Sequence, residues 1–182
     1  RGGLLKSRRP LVRSKKAEGE GRAAKRARRQ GAVCGDLSIQ GEAIGKVPGR
    51  IRGCGVADAV RVRSVSGVAL SQSSVMDCTT ANALKTWLET SAKPALARKG
   101  GGLKSRRVAA HYACRTRNNQ KGAKISEHGK GRAIDISGFR LADGSEVTVL
   151  KGWNARATSK ALRRMVQETV LTAADLIYPL FV

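Results

Sequence analysis

The run Ser126-Glu127-His128-Gly129-Lys130-Gly131-Arg132-Ala133-Ile134-Asp135 constrains this chain more than any other stretch. It sets a histidine and a carboxylate seven positions apart, with glycines and an alanine between them. Ile134 and Ile136 flank Asp135 in the apolar–polar alternation of a half-buried strand. Asp135 therefore points to the face opposite the isoleucines. Gly129 and Gly131 permit a tight backbone just before that strand. A loop of this kind can fold His128 back over Asp135. A neutral imidazole and a carboxylate so placed are two ligands for zinc, with nitrogen and oxygen about 2.0–2.2 Å from the metal. The same spacing also fits a plain loop entering a strand, with Asp135 hydrogen-bonded and His128 exposed. Spacing alone favours that plainer arrangement.

The residue identities say more. The run follows, position for position, the S-x-H-x-x-G-x-A-x-D pattern of zinc DD-carboxypeptidases and related peptidoglycan peptidases. The wider stretch from Ala110-His111-Tyr112-Ala113-Cys114-Arg115 to Phe139 resembles the bacterial extensin-like C-terminal domain family, which is similar to the zinc DD-peptidase/hedgehog-type fold. The resemblance reaches back to Cys34-Gly35-Asp36 and forward to Trp153, about two thirds of the chain. Its further motifs are Gly53-Cys54-Gly55, Asp77-Cys78, and Gly138-Phe139-Arg140-Leu141-Ala142-Asp143-Gly144. It implies His128 and Asp135 as zinc ligands. It implies Arg115 as the arginine that follows a tyrosine at a strand end and faces the substrate carbonyl or carboxylate, where a guanidinium stabilises an oxyanion. Ser126 is expected to orient the loop by hydrogen bonding rather than to act as a nucleophile.

A zinc peptidase needs three protein ligands, with water in the fourth position, and a general base beside that water. In the resembling family the third ligand is a histidine near the C-terminus, in a run such as H-x-D-H-F-H. This chain has only two histidines, His111 and His128, and His111 stands where the family pattern uses no ligand. The expectation is a cell-wall (peptidoglycan) zinc peptidase-like domain with an incomplete site, inactive for want of the third ligand. The alternative is a non-catalytic module that binds cell-wall or other anionic polymer through its charge.

The charge is large: +23 over 182 residues. Nucleic acid, anionic lipid and acidic wall polymers would all attract it. Residues 1–30 hold 12 Arg and Lys against 2 Glu, +10 of the total. That segment is too poor in apolar residues to offset its ordering entropy and reads as a disordered basic arm. No aromatics interleave its charges to stack on bases, so no specific nucleic-acid recognition is expected. No apolar run approaches the roughly 18 residues of a membrane span. No signal peptide is visible, and an export signal upstream of Arg1 is expected because the resemblance implies a periplasmic or secreted protein.

Four scattered cysteines, with no C-x-x-C pair, suit disulfides in an oxidising compartment. Three pairings are possible. Cys34 with Cys54 would close a local loop and leave Cys78 with Cys114. Four buried free thiols in a cytosolic protein is the other arrangement that the sequence allows.

The remaining expectations concern order along the chain. Val60-Arg61-Val62-Arg63-Ser64-Val65 alternates as a strand and turns at Gly67 into Val68-Ala69-Leu70. Val47-Pro48-Gly49 marks a turn. Residues 77–97 read as the principal helix, with Asp77, Thr79 and Thr80 as candidate N-caps and Pro94 bending or restarting its last turns. Val108 to Cys114 reads as a strand, Asp143-Gly144 as a hairpin turn, and Glu146 to Leu150 as the returning strand. The class is α+β, a small antiparallel sheet packed on a few helices and truncated at its C-terminal side. The extensin-like domain is placed at 31–153. The tail, 154–182, is expected to be fused or out of frame, although Thr158 to Met165 can belong to the domain. Arg163-Arg164 followed by Leu171-Thr172-Ala173-Ala174-Asp175-Leu176-Ile177-Tyr178-Pro179-Leu180-Phe181-Val182 resembles the start of porphobilinogen synthase but holds none of that enzyme's catalytic machinery.

Overall fold

The computed structural model describes residues 31–167, together with residues 22, 26, 29 and 30. The chain divides into two units, Arg1–Gln30 and Gly31–Val182. The expected basic arm therefore lies almost wholly outside the described residues. The segment that resembles porphobilinogen synthase lies outside them beyond residue 167.

Seven strands form one sheet in sequence order: β1 (Ala32–Val33), β2 (Asp36–Pro48), β3 (Gly55–Val65), β4 (Val68–Met76), β5 (Leu103–Ala110), β6 (Asp135–Leu141) and β7 (Glu146–Thr148). The α+β expectation holds. The sheet is larger than expected, and it is not purely antiparallel, because β4 and β5 run parallel. A parallel neighbour needs a crossover, and the helical segment between Cys78 and Leu96 provides it. The β4–β5 ladder is short: only Ala69 with Ser105 and Leu70 with Arg106 are in register. Beyond them, side chains bridge the gap. The Val108 N–H donates to Ser71 Oγ at 3.0 Å, and the Val75 N–H donates to His111 Nδ1 at 3.4 Å.

The Val60–Val65 alternation is realised in β3, where Val60, Val62 and Val65 are buried while Arg61 and Arg63 are exposed. A register shift between Val62 and Ser64 puts Val65 back on the core side. Leu141, Asp143 and Gly144 close the β6–β7 hairpin: the Asp143 carboxylate accepts from the Ser145 N–H at 2.9 Å, and Gly144 has a φ of +88°.

Two expected strands end early. β5 stops at Ala110 rather than Cys114, because its partner β6 begins at Asp135, which pairs with Ala110 across two bulges. Ala113 instead donates its N–H to the His128 carbonyl at 3.2 Å. β7 stops at Thr148, whose Oγ accepts from the Lys151 N–H and caps helix α3 (Val149–Gly152).

The crossover opens as α1 (Cys78–Trp87), with Asp77 as its N-cap: the Asp77 carboxylate accepts from the Thr80 N–H at 2.7 Å. It is not one continuous α-helix. A π-helical turn, Leu88–Ala92, separates α1 from α2 (Lys93–Leu96). Pro94 supplies the reason, since it has no N–H to donate to Thr90 and its ring crowds that carbonyl. Helix α4 (Ser159–Gln167) packs on the π turn and on α2. Its Ala161, Leu162 and Met165 are buried, and Trp87 Nε1 donates to the Met165 carbonyl at 3.1 Å. Trp87 also meets Phe139 of β6, with ring centroids 6.2 Å apart. The core otherwise rests on valines, leucines and isoleucines, as the 3 % aromatic content requires.

All four cysteines are oxidised, as Cys34–Cys78 and Cys54–Cys114. The local Cys34–Cys54 pair does not form, for a plain geometric reason. Those residues flank opposite ends of β2, whose 13 residues rise about 3.3 Å each and so hold the ends roughly 40 Å apart. Sequence separations of 44 and 60 correspond to about 4 kcal/mol of unfolded-chain entropy per bridge.

Among the described residues, the Tyr112 hydroxyl and the Arg106 guanidinium are buried without hydrogen-bond partners. Arg106 on β5 pairs with Phe139 across the ladder, faces the core and is 1 % exposed. None of its three guanidinium nitrogens has a hydrogen-bond partner. Burial pulls its pKa down to about 9. A buried charge without a partner opposes folding. Arg106→Met should therefore stabilise the fold by about 1–4 kcal/mol, read as a rise in Tm and in the urea midpoint with the slope unchanged. A lower midpoint would show that Arg106 contributes to stability.

Candidate functional site

The loop before β6 is a 3-10 turn, Glu127–Lys130, ended by Gly131 in the left-handed region at φ +69°. A Cβ on Gly131 would lie 2.5 Å from the Val56 side chain, and one on Gly129 would lie 2.9 Å from Ile125 and 3.0 Å from Cys54 Sγ. Both glycines are thus required by close approach, and Gly131 also by its backbone angle. The Gly131 carbonyl accepts from the Asp77 N–H at 3.0 Å, which ties the loop to the start of α1.

This turn buries His128, which is 8 % exposed. The exposed-histidine arrangement is not found. The His128 ring is held at both nitrogens. Nδ1 lies 2.8 Å from the His111 carbonyl, to which it donates. Nε2 lies 3.3 Å from Asp135 Oδ2 at the start of β6. The His128 pKa is raised, first by the hydrogen bond to Asp135 and then by the His111 carbonyl; burial and the Arg115 charge oppose this.

Ser126 and Arg115 are brought to the same place. The Ser126 N–H donates to the Arg115 carbonyl at 3.0 Å, and its own carbonyl accepts from the Gly129 N–H at 2.9 Å. The Ser126 hydroxyl makes no capping bond to the turn, so Ser126 shapes the loop through its backbone. Arg115 lies just outside the sheet rather than at a strand end, between the Cys54–Cys114 bridge and the Thr116–Ile125 pairing. Its Nη1 donates to the Thr116 carbonyl at 3.4 Å.

The sequence reading gives Asp77 as a helix cap but not as a tether of the site loop, and it gives His111 no role at the site. His111 fixes His128 through a backbone oxygen, which no side-chain pattern reports. Its own Nδ1 is turned to the Val75 N–H, and its pKa is lowered, chiefly by burial and then by the His128 charge.

The donor atoms fit part of a zinc site. With Nδ1 donating to a carbonyl, the lone pair of neutral His128 sits on Nε2 and faces Asp135. Nitrogen and oxygen ligands of a tetrahedral zinc lie about 3.3–3.5 Å apart, given bonds near 2.0–2.2 Å. A third ligand is not at hand: among the described residues no group of three or more His, Cys, Asp or Glu side chains could hold a metal ion.

As it stands the pair is an imidazole–carboxylate contact with a defined pH dependence. A pKa raised on folding adds stability that is complete below the unfolded value, about 6.5, and that fades as pH rises through the folded value. The stability advantage of the parent over Asp135→Asn should thus be largest near pH 5–6 and shrink toward pH 9 in paired thermal melts. An advantage that grew with pH would contradict the contact.

No curated protein and no solved structure matches the chain. A family model does, over residues 34–173, which take in both disulfides, the whole His128–Asp135 loop and most of the core. By that match the chain belongs to the family described as the extensin-like protein C-terminus.

Proposed function

We propose that this domain is a peptidoglycan-directed, zinc peptidase-like member of the extensin-like family, periplasmic or secreted, whose metal site is incomplete. The observation that carries the reading is the buried His128, with Nδ1 fixed by the His111 carbonyl and Nε2 set 3.3 Å from Asp135. His128 and Asp135 would be the metal ligands and Arg115 the group facing the substrate carbonyl or carboxylate. Bound zinc supplies an activated water and a polarised carbonyl when three protein ligands leave one position open. The described residues do not provide the third. The two disulfides suit an oxidising compartment. No helix of the described residues is long and apolar enough to cross a membrane.

A zinc titration followed by calorimetry tests the ligand pair. Binding should be far weaker than the roughly 10–16 kcal/mol of a four-ligand structural zinc, and His128→Ala should abolish it. Unchanged stoichiometry in that variant would remove His128 from the site.

The net charge of +23 favours a second reading, a non-catalytic module on an anionic cell-wall polymer. It requires affinity that falls steeply with salt and is indifferent to His128→Ala. Salt-insensitive binding would rule it out.

A further inference from the structure

A second feature lies on the solvent face of the same sheet. Two cross-strand rows meet there: Ser105, Arg140 and Glu146 in one, and Arg107, Gly138 and Thr148 in the next. Together with Ser71 they line a cleft of about 320 Å³, the lower end of the range for small-ligand sites. Gly138 leaves the floor bare. A Cβ there would come within 3.1 Å of the Val147 carbonyl oxygen, so the close approach of β7 and the hollow share one cause.

The charges around this hollow are unequal. Arg140 is paired with Glu146 at 3.2 Å, whereas Arg107 forms no ion pair among the described residues. Arg106, the next residue on β5, turns its side chain to the opposite face. Its buried guanidinium has no partner, and Arg106 and Phe139 also border the cleft. A charge in that position is poorly screened, so its field reaches the hollow.

Asp135 stands three residues before Gly138 on β6, about 10 Å along the strand. The register skips Ser137 between them. That bulge brings Asp135 back into phase with Gly138 and Arg140.

We infer that this hollow binds a single carboxylate of an extended peptide, held by the Arg107 guanidinium and by the field of Arg106, with the peptide running along β6 toward His128 and Asp135. Glu146 argues against a continuous polyanion, which would set a further charge against it, and suits an isolated carboxylate between uncharged peptide groups. The Ser71, Ser105 and Thr148 hydroxyls add short-range donors. The peptide character of the ligand rests on the reading in the preceding subsection; the carboxylate subsite rests on the cleft alone.

The test uses the whole chain and a fluorescently labelled tripeptide, blocked at both ends, with one central glutamate, compared with the glutamine form. The glutamate peptide should bind about tenfold tighter, the scale of a charge-assisted arginine–carboxylate contact. Arg107→Ala and Arg106→Met should each erase most of that ratio. Arg106→Met should do so while melting at a higher temperature, so that lost binding is not lost folding. Arg63→Ala, an exposed arginine on β3, controls for general charge and should keep the ratio. His128→Ala should also keep it, so that a failed metal site and a failed carboxylate subsite give different results. Equal binding of the two peptides, a ratio that survives Arg107→Ala, or an equal loss in Arg63→Ala would each overturn the assignment.

Discussion

Three parts of the molecule meet at Asp77. Its carboxylate accepts from the Thr80 N–H and starts α1. Its own N–H donates to the Gly131 carbonyl and holds the loop that carries His128. Its neighbour Cys78 is bridged to Cys34 beside β1 and β2. The start of the crossover, the site loop and the far side of the sheet are thereby fixed within two consecutive residues. A capping bond is ordinarily a local matter of about 1 kcal/mol. Here its donor and acceptor groups also set where the loop stands over β6.

The disulfides complete this arrangement from opposite ends. Cys34–Cys78 fastens the outer strands to α1, and Cys54–Cys114 fastens the β2–β3 connection to the segment that leads from β5 to Arg115. Gly129 packs against Cys54 Sγ so closely that a Cβ would collide. The covalent bridge is thus one wall of the His128 loop. A chain with few aromatics, whose core is built from Val, Leu and Ile, gains rigidity at its site from these bonds rather than from large buried rings.

Much of this was legible where side chains repeat with the period of the backbone. The Val60–Val65 alternation, the Asp77 cap and the Asp143-Gly144 turn each report local geometry, and each is found. Strand β2 was not legible, because Gly41, Ala43 and Gly45 replace the large residues that would mark its faces and because bulges interrupt its register. The cysteine pairing depends on how far a 13-residue strand carries its two ends apart, which spacing in sequence does not convey. Pro94 signalled a disturbance of the helix but not its form, since a missing N–H can be absorbed as a kink, a stop or a π turn. At the site, the approach of His128 to Asp135 follows from the glycines and the strand alternation. The His111 carbonyl that orients the ring could not be read, because every residue carries the same carbonyl.

Among the described residues, the short parallel junction between β4 and β5 marks the one change of pairing direction in the sheet. Two ladder positions and a few side-chain bridges join a four-stranded plate, β1 to β4, to a three-stranded plate, β5 to β7. Each plate is antiparallel within itself. Val75 belongs to the first plate and Asp135 to the second, while His111 spans the gap with its ring toward one and its carbonyl toward the His128 ring. The position of Nδ1 of His128 therefore depends on a residue that is held by both halves of the sheet.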